Sequence, residues 1–456
     1  MFDFIYRHIL IRGFETAVKR RKTFAYWRDL ERSQWLSGDE LRDMQSGSLQ
    51  KLLSHAASNC TYYRDAWRGM GFDPRDIRTP ANLHHLPIID RDTIRSNRLM
   101  MRAEPALPLL RKATGGSSGV PLEFDLDHDS LDRRYAAWHR GYDWAGAGPG
   151  TRQWHLWGGT VGNPPRAKRA KDLLYQRLYR RSMASSFGLS AATVEKYLES
   201  LNRCRPQAIV AYTNPLYDFA LALEERGLIP FSPRSILVGA EKLHGFQREV
   251  IERVFRAPVF ETYGSREFML IGSECDRHSG LHLTMEDLVV EIVDDAGRPV
   301  AEGEEGNVVV TDLTNYGMPF IRYQNGDRAV AGAETCPCGR GLPLLKKIVG
   351  RQLDMLDTPD GRRIPGEVFP HLIKDYRAIR RFQVVQFDPA AIQLRLVVGT
   401  DWNESMWHEL ERNLVQIVGP DVRLEMALVD DIPLTAAGKR RVVVRHPSPD
   451  ATQKKD

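Results

Sequence analysis

Between residues 208 and 262 the chain alternates short apolar runs with amphipathic stretches, and this alternation limits the available folds more than any other feature. Ala208–Tyr212, residues 234–238 and residues 259–262 are four or five residues long and rich in Ile, Val, Leu and aromatics. Apolar strands this short suit a sheet that is covered on both faces. Residues 216–226 and 247–255 have the helical spacing needed to cover them, as do 191–204, 166–182, 129–143 and 47–70. The expected core is an α/β sheet with helices on both faces.

After Tyr263 the texture changes. Leu288–Val293, residues 306–311 and residues 320–323 are β-rich and broken by turns at 295–297 and at Asn325-Gly326. They suggest a smaller β subdomain or barrel over 270–349. Past Gly350, residues 381–387, 392–398, Glu404–Val418, 423–429 and 441–445 read as strand, strand, helix, strand, strand. That is a small α+β domain. The expected organisation is an N-terminal domain over 1–349, a C-terminal domain over 350–446 and a disordered polar tail over 447–456.

The 456 residues can build two or three such domains. Hydrophobic residues at 42% and charged residues at 27% suit a globular protein, and a net charge of +5 does not call for a nucleic-acid partner. There is no apolar run of about 18 residues and no signal-peptide pattern, so the cytoplasm is the expected compartment. Residues 1–44 are basic and amphipathic. Phe2, Ile5, Ile9, Leu10 and Ile11 recur at helical spacing among Arg7, Arg12 and Lys19-Arg20-Arg21-Lys22. Such a segment packs on the body of the protein or rests on an anionic inner membrane face.

Five cysteines are too few for a disulfide framework. Cys60 and Cys204 read as small buried hydrophobes. Cys336-Pro337-Cys338-Gly339 sets two thiols on a tight turn, and Cys275 with His282 completes a Cys₃His set suited to a structural Zn²⁺. His278, at Cys-x-x-His spacing, competes with His282.

Thr114-Gly115-Gly116-Ser117-Ser118-Gly119 precedes Val120-Pro121-Leu122. Glycines let backbone N–H groups approach a polyanion, and the hydroxyls add donors. A Walker loop would end in Gly-Lys-Ser/Thr, and the dinucleotide fingerprint has different spacing, so neither applies. On composition alone the segment is a surface turn or a phosphate cradle.

Further motifs follow in order: Gly239-Ala240-Glu241; Tyr263-Gly264-Ser265-Arg266-Glu267; Ile321-Arg322-Tyr323-Gln324-Asn325-Gly326-Asp327; Gly350-Arg351-Gln352-Leu353-Asp354; and Pro433-Leu434-Thr435-Ala436-Ala437-Gly438-Lys439. Together they resemble the adenylate-forming superfamily of acyl-CoA synthetases, adenylation domains and luciferases. Residues 52–56, 62–64 and 86–88 bring the chain closer to the phenylacetate–CoA ligase branch and its capsular-polysaccharide-type homologues, over about residues 45–445. The resemblance implies a mobile C-terminal domain and an AMP-forming ligase acting on a carboxylic acid. Loop 114–119 would hold the phosphates of ATP, and Glu267 would ligate Mg²⁺. Gly239, Ala240, Glu241, Tyr263 and Gly264 would take the adenine, and Asp327 and Arg351 the ribose. Lys439 would meet the acyl carboxylate and α-phosphate; it, Glu267 and Arg351 carry the implied catalysis.

The acyl acceptor implied is CoA, a carrier-protein thiol, or a sugar amine or hydroxyl, and an oligomer is compatible with this reading. Trp154, Trp157 and Tyr212 point to an aryl or flat acid. Three departures stand out: Leu122 where a lysine is usual, Arg266 where a threonine is usual, and Leu353 at the hinge position. They keep two alternatives in view, a nucleotidyltransferase acting on a small-molecule hydroxyl and a catalytically weak binding homologue.

Overall fold

A computed structural model describes residues 2–105, 108–114, 122–157, 166–186, 193–351, 355–360, 363–365, 368–373, 376, 378–433 and 441–445. Gly115, Gly116, Ser117, Ser118, Gly119, Leu353 and Lys439 lie outside the described residues, as does the 447–456 tail. The chain divides into two compact units. One comprises Met1–Asn325 with Ala329–Ile348; the other comprises Gly326–Arg328 with Val349–Asp456.

In the first unit, β1 (Leu109–Ala113) and β2 (Glu123–Asp127) pair antiparallel. The parallel part of the main sheet consists of β3 (Gln153–Trp157), β4 (Arg181–Ser185), β5 (Ala208–Tyr212), β6 (Ser235–Gly239) and β7 (Val259–Tyr263). The expectation of helices on both faces holds. Trp154, Leu156, Ile209, Ala211, Ile236 and Val238 pack under the helices Val194–Cys204, Thr213–Glu225 and Gly245–Phe255. Ala208, Val210, Leu237 and Phe260 meet Tyr142 and Trp138 of the helix His128–Trp144 on the other face.

The β-rich segment consists of β8 (Gly272–Glu274), β9 (Leu281–Leu283), β10 (Leu288–Val293), β11 (Glu305–Asp312), β12 (Tyr323–Ala331) and β13 (Leu344–Arg351). It does not close into a barrel of its own. β8 pairs antiparallel with β7, which extends a single sheet in the order β10–β11–β12–β13–β9–β8–β7–β6–β5–β3–β4. The edge of a parallel sheet accepts an antiparallel neighbour when the chain turns back at once, as it does between Tyr263 and Gly272.

Residues 47–70 are two helices rather than one, Gly38–Asn59 and Thr61–Gly69. A Ser37–Glu40 capping box starts the first. Cys60 breaks the run by turning extended (φ −114°, ψ 116°) and bridging to Ala103.

In the second unit, β14 (Met355–Asp357) and β15 (Arg363–Pro365) pair antiparallel. β16 (Ile379–Asp388), β17 (Ala391–Val398), β18 (Arg423–Leu428) and β19 (Val443–Arg445) form a sheet ordered β18–β17–β16–β19. The helix Glu404–Val418 buries Trp407, Leu410, Leu414 and Val418 in the same core as Val384, Ile392, Leu394 and Leu396. This is the α+β pattern read from the sequence.

Candidate functional site

β5, β6 and β7 run in register, so Tyr212, Gly239 and Tyr263 end them along one edge. Open α/β sheets hold ligands outside the carboxyl ends of their strands. Two residues there owe their identity to close approach. A Cβ on Gly239 would stand 2.4 Å from Thr262 Oγ1, and one on Gly264 would stand 1.9 Å from the Met269 carbonyl oxygen. Ala240 takes a left-handed conformation (φ 67°). The Glu241 carboxylate accepts from Asn214 N–H (2.9 Å) at the start of the helix Thr213–Glu225, where an acid is favoured.

The loop after β7 is closed by Met269 N–H donating to Ser265 O (2.8 Å) and Ile271 N–H to Tyr263 O (2.8 Å). The Tyr263 hydroxyl accepts from Asn325 Nδ2 (2.8 Å). At the centre of the loop Glu267 is 3% exposed. Its Oε1 accepts from the Tyr323 hydroxyl (3.1 Å) and lies 3.9 Å from the Arg91 guanidinium. Arg91 in turn donates to the Tyr323 oxygen (3.3 Å). Burial and the neighbouring Glu267 charge push the Tyr323 hydroxyl well above its ordinary pKa, so it stays a donor. Among the described residues nothing hydrogen-bonds to Glu267 Oε2. Arg134 donates to the Glu267 backbone oxygen and to the Asp312 carboxylate. Tyr323, Arg91 and Arg134 are thus the supports of Glu267.

Thr114 closes the neck of the glycine loop. Its N–H donates to Leu122 O (2.9 Å), and its Oγ1 accepts from Leu122 N–H (2.9 Å). The Leu122 side chain is buried in the main core. On β1, exposed Lys112 is pushed below its ordinary pKa by partial burial and by the cations Arg266, Arg21 and Arg134. Positive charge therefore gathers beside the neck. Lys112 and Arg134 carry it: the basic pair Arg111-Lys112 beside the glycine loop is readable in the sequence, whereas Arg134 has no local signal there.

The aromatic residues expected around the acid separate. The Trp157 and Tyr212 rings meet at 4.3 Å at the ends of β3 and β5. Trp154 lies on the opposite sheet face, packed on Phe219 with its indole donating to Ser200 (3.2 Å). Trp154 is therefore core, not pocket wall. Asp327 and Arg351 lie on β12 and β13, within the stretches assigned to the second unit.

Cys275, His282, Cys336 and Cys338 present ligand atoms that all fall within 4.8 Å of one another. The Cys275–Cys336 sulfur separation is 3.8 Å, and Cys338 Sγ to His282 Nε2 is 3.3 Å. A tetrahedron with Zn–S of about 2.3 Å has S···S edges of about 3.8 Å. His282 Nδ1 bonds to the Leu342 carbonyl (3.1 Å), which leaves Nε2 facing the sulfurs. Burial lowers the His282 pKa to about 4, keeping the ring neutral as a ligand must be. His278 turns away to Glu274 (3.2 Å), so of the two candidate histidines His282 joins the thiols.

Comparison with known proteins agrees with this architecture. Residues 356–446 match the CapK C-terminal domain. Protein CapK of Staphylococcus aureus is 23% identical over 466 residues, covering 98% of this chain and all of that protein. The phenylacetate-coenzyme A ligase of Escherichia coli is 27% identical over 356 residues, covering 74% of this chain and 77% of that one. The crystal structure of a 2-hydroxyisobutyryl-CoA ligase in the postadenylation state superposes with a TM-score of 0.73 at 18% identity, covering 91% of this chain and 92% of that chain. The chain has the fold of the adenylate-forming ligases.

Proposed function

We propose that this chain, sharing its fold with adenylate-forming ligases, is an ATP-dependent, AMP-forming acid ligase. The observation that carries the reading is Glu267: a buried carboxylate at the carboxyl edge of the sheet, braced by Tyr323 and Arg91, with no hydrogen bond to Oε2 among the described residues. A hard oxygen ligand of this kind suits Mg²⁺, which would neutralise charge on the triphosphate when bound. A carboxylate oxygen of the acid attacks the α-phosphorus, and the bond from that phosphorus to the pyrophosphate oxygen breaks. The acyl-adenylate and pyrophosphate are the products. The CoA thiolate then attacks the acyl carbon, and AMP leaves.

The residues divide this work. Thr114 and the glycine loop cradle the phosphates, with Lys112 and Arg266 supplying charge beside it, on the side where Leu122 replaces a lysine. Gly239, Ala240 and Tyr263 take the adenine, and Asp327 and Arg351 the ribose. Lys439 stabilises the charge that develops between acid and α-phosphate. CoA as acceptor is supported by relatives named phenylacetate-coenzyme A ligase. The Trp157–Tyr212 pair favours a flat or aryl acid. Cys275, His282, Cys336 and Cys338 hold a structural Zn²⁺, with no position left for substrate.

The test is to incubate the protein with ATP, Mg²⁺ and aryl, hydroxy, amino or fatty acids, with and without CoA, and to identify the products by mass spectrometry. Acid-dependent AMP together with an acyl-CoA thioester is expected. A stably adenylated hydroxyl compound with no thioester would instead make the chain a nucleotidyltransferase.

A further inference from the structure

We propose that the N-terminal arm and the helix Arg166–Leu178 form a docking face for an anionic lipid surface. The arm runs through the helical segments Phe2–Ile5, Tyr6–Ile11 and Phe14–Val18. Part of it is anchored. Arg7 forms a bidentate pair with Asp143 (2.8 and 2.6 Å), and Ile11 is buried. Glu15 is buried and accepts from the Tyr175 hydroxyl (3.1 Å), the Tyr179 hydroxyl and Arg21 (3.1 Å). The Phe14 ring meets Tyr175 edge-on at 5.8 Å, and Lys19 lies over both rings. The arm and the helix Arg166–Leu178 are therefore packed side by side in fixed positions.

Anchoring leaves apolar side chains outside. Phe4, Ile9, Leu10 and Val18 on the arm are exposed, as are Leu173 and Leu174 on the helix, with Leu174 at 71% and Val18 at 67%. Leu10 stands one turn before Phe14 and Leu174 immediately precedes Tyr175, so both flank the seam where the segments meet. Exposed apolar residues gathered on two packed segments mark an interaction surface.

Charge identifies the occupant. Residues 2–22 carry six basic and two acidic side chains, and Arg166–Leu178 carries five basic and one acidic. Together they hold a formal net +8, more than the +5 of the entire chain; Arg7, Arg21 and Lys22 are paired with Asp143, Glu15 and Asp129, and the other cations are the ones offered to a partner. One of the three acids, Glu15, is already turned inward. Arg12, Arg20, Arg169, Lys171 and Arg177 are exposed beside the apolar residues. Exposed apolar side chains interspersed with exposed cations on two packed segments match a bilayer surface bearing anionic headgroups, where leucine and phenylalanine enter the acyl boundary and arginine and lysine meet phosphates. No described helix is long and apolar enough to cross a membrane, so the contact is peripheral.

The test sediments the full chain with vesicles of phosphatidylcholine containing about one-third phosphatidylglycerol, and with pure phosphatidylcholine vesicles. Binding to the anionic vesicles is expected to be about tenfold tighter, and to weaken about tenfold between about 0.05 and 0.5 M salt. Leu173→Glu with Leu174→Glu, and separately Arg169→Glu with Lys171→Glu, are expected to reduce binding several-fold. These four side chains are on the surface, so the melting temperature and acid-dependent AMP formation are expected to stay as in the parent. Failure to sediment with anionic vesicles at low salt overturns the proposal, as does binding by both double variants that equals the parent's. A lipid-free dimer abolished by Leu173→Glu with Leu174→Glu would show that a second copy covers the face, and overturns it as well.

Discussion

Glu267 and Lys112 show how differently two charged residues can be read. Glu267 follows a strand in a Tyr-Gly-Ser-Arg-Glu run, so its place at the sheet edge was legible. Its supports were not: Arg91 and Arg134 carry no local pattern, and Tyr323, although it lies in the motif 321–327, gives no sign in the sequence that it meets Glu267. Leu122 looked in the sequence like a missing phosphate contact, yet its side chain belongs to the core. Lys112 supplies a nearby cation from β1, which pairs with the strand that follows Leu122. Because burial and Arg266, Arg21 and Arg134 lower its pKa, Lys112 loses its charge at a lower pH than an ordinary lysine. The KM for ATP should therefore rise with pH on the alkaline side. Lys112→Arg should flatten that rise, and Lys112→Ala should raise KM about tenfold at neutral pH. A pH series of ATP titrations checks both, and an unchanged alkaline limb in Lys112→Arg would remove Lys112 from the site.

Glu261 on β7 gives a second prediction, this one of stability. Burial and the nearby Glu274 push its carboxyl up to about 7. A carboxyl whose folded pKa is raised binds its proton more tightly folded than unfolded. Stability therefore falls as pH climbs from the ordinary carboxylate range through about 7. Glu261→Gln should remove that decline and melt higher than the parent above pH 7 by scanning calorimetry. Parallel pH profiles for the two proteins would count against it.

Among the elements, those whose pattern is local were readable. The parallel strands and their helices follow from apolar spacing, and the ββαββ order of the C-terminal region follows from the same cue. The cysteine cluster was readable because Cys-Pro-Cys-Gly is a compact turn. Two elements were not. Cys60 splits a helix-like run because of a bridge to Ala103, a contact no local pattern announces. The β-rich segment extends the main sheet because β8 turns back onto β7, and strand partners are not encoded in strand propensity. The cluster ties β9, which carries His282, to the turn that carries Cys336 and Cys338. That turn holds the chain near the first helices, where Gly341 N–H donates to Gln34 O (3.0 Å) and Arg340 Nε to Gln34 Oε1 (3.1 Å). One zinc per chain is expected by elemental analysis. Chelation or Cys336→Ser should lower the melting temperature by about 3 °C, roughly the effect of losing 2 kcal/mol in a domain of this size. Metal-free protein with an unchanged melt would reject the site.

For the molecule as a whole, the resemblance read from motif order and the superposition on a CoA ligase lead to one fold. Fold alone does not make an enzyme, so activity turns on the chemistry at Glu267. Exchange of labelled pyrophosphate into ATP reads that chemistry without depending on the acyl acceptor. The expected result is exchange that requires a carboxylic acid and falls about a hundredfold in Glu267→Gln, with the variant still folded. Acid-independent exchange, no exchange with any aryl, hydroxy, amino or fatty acid, or full exchange in Glu267→Gln would contradict it.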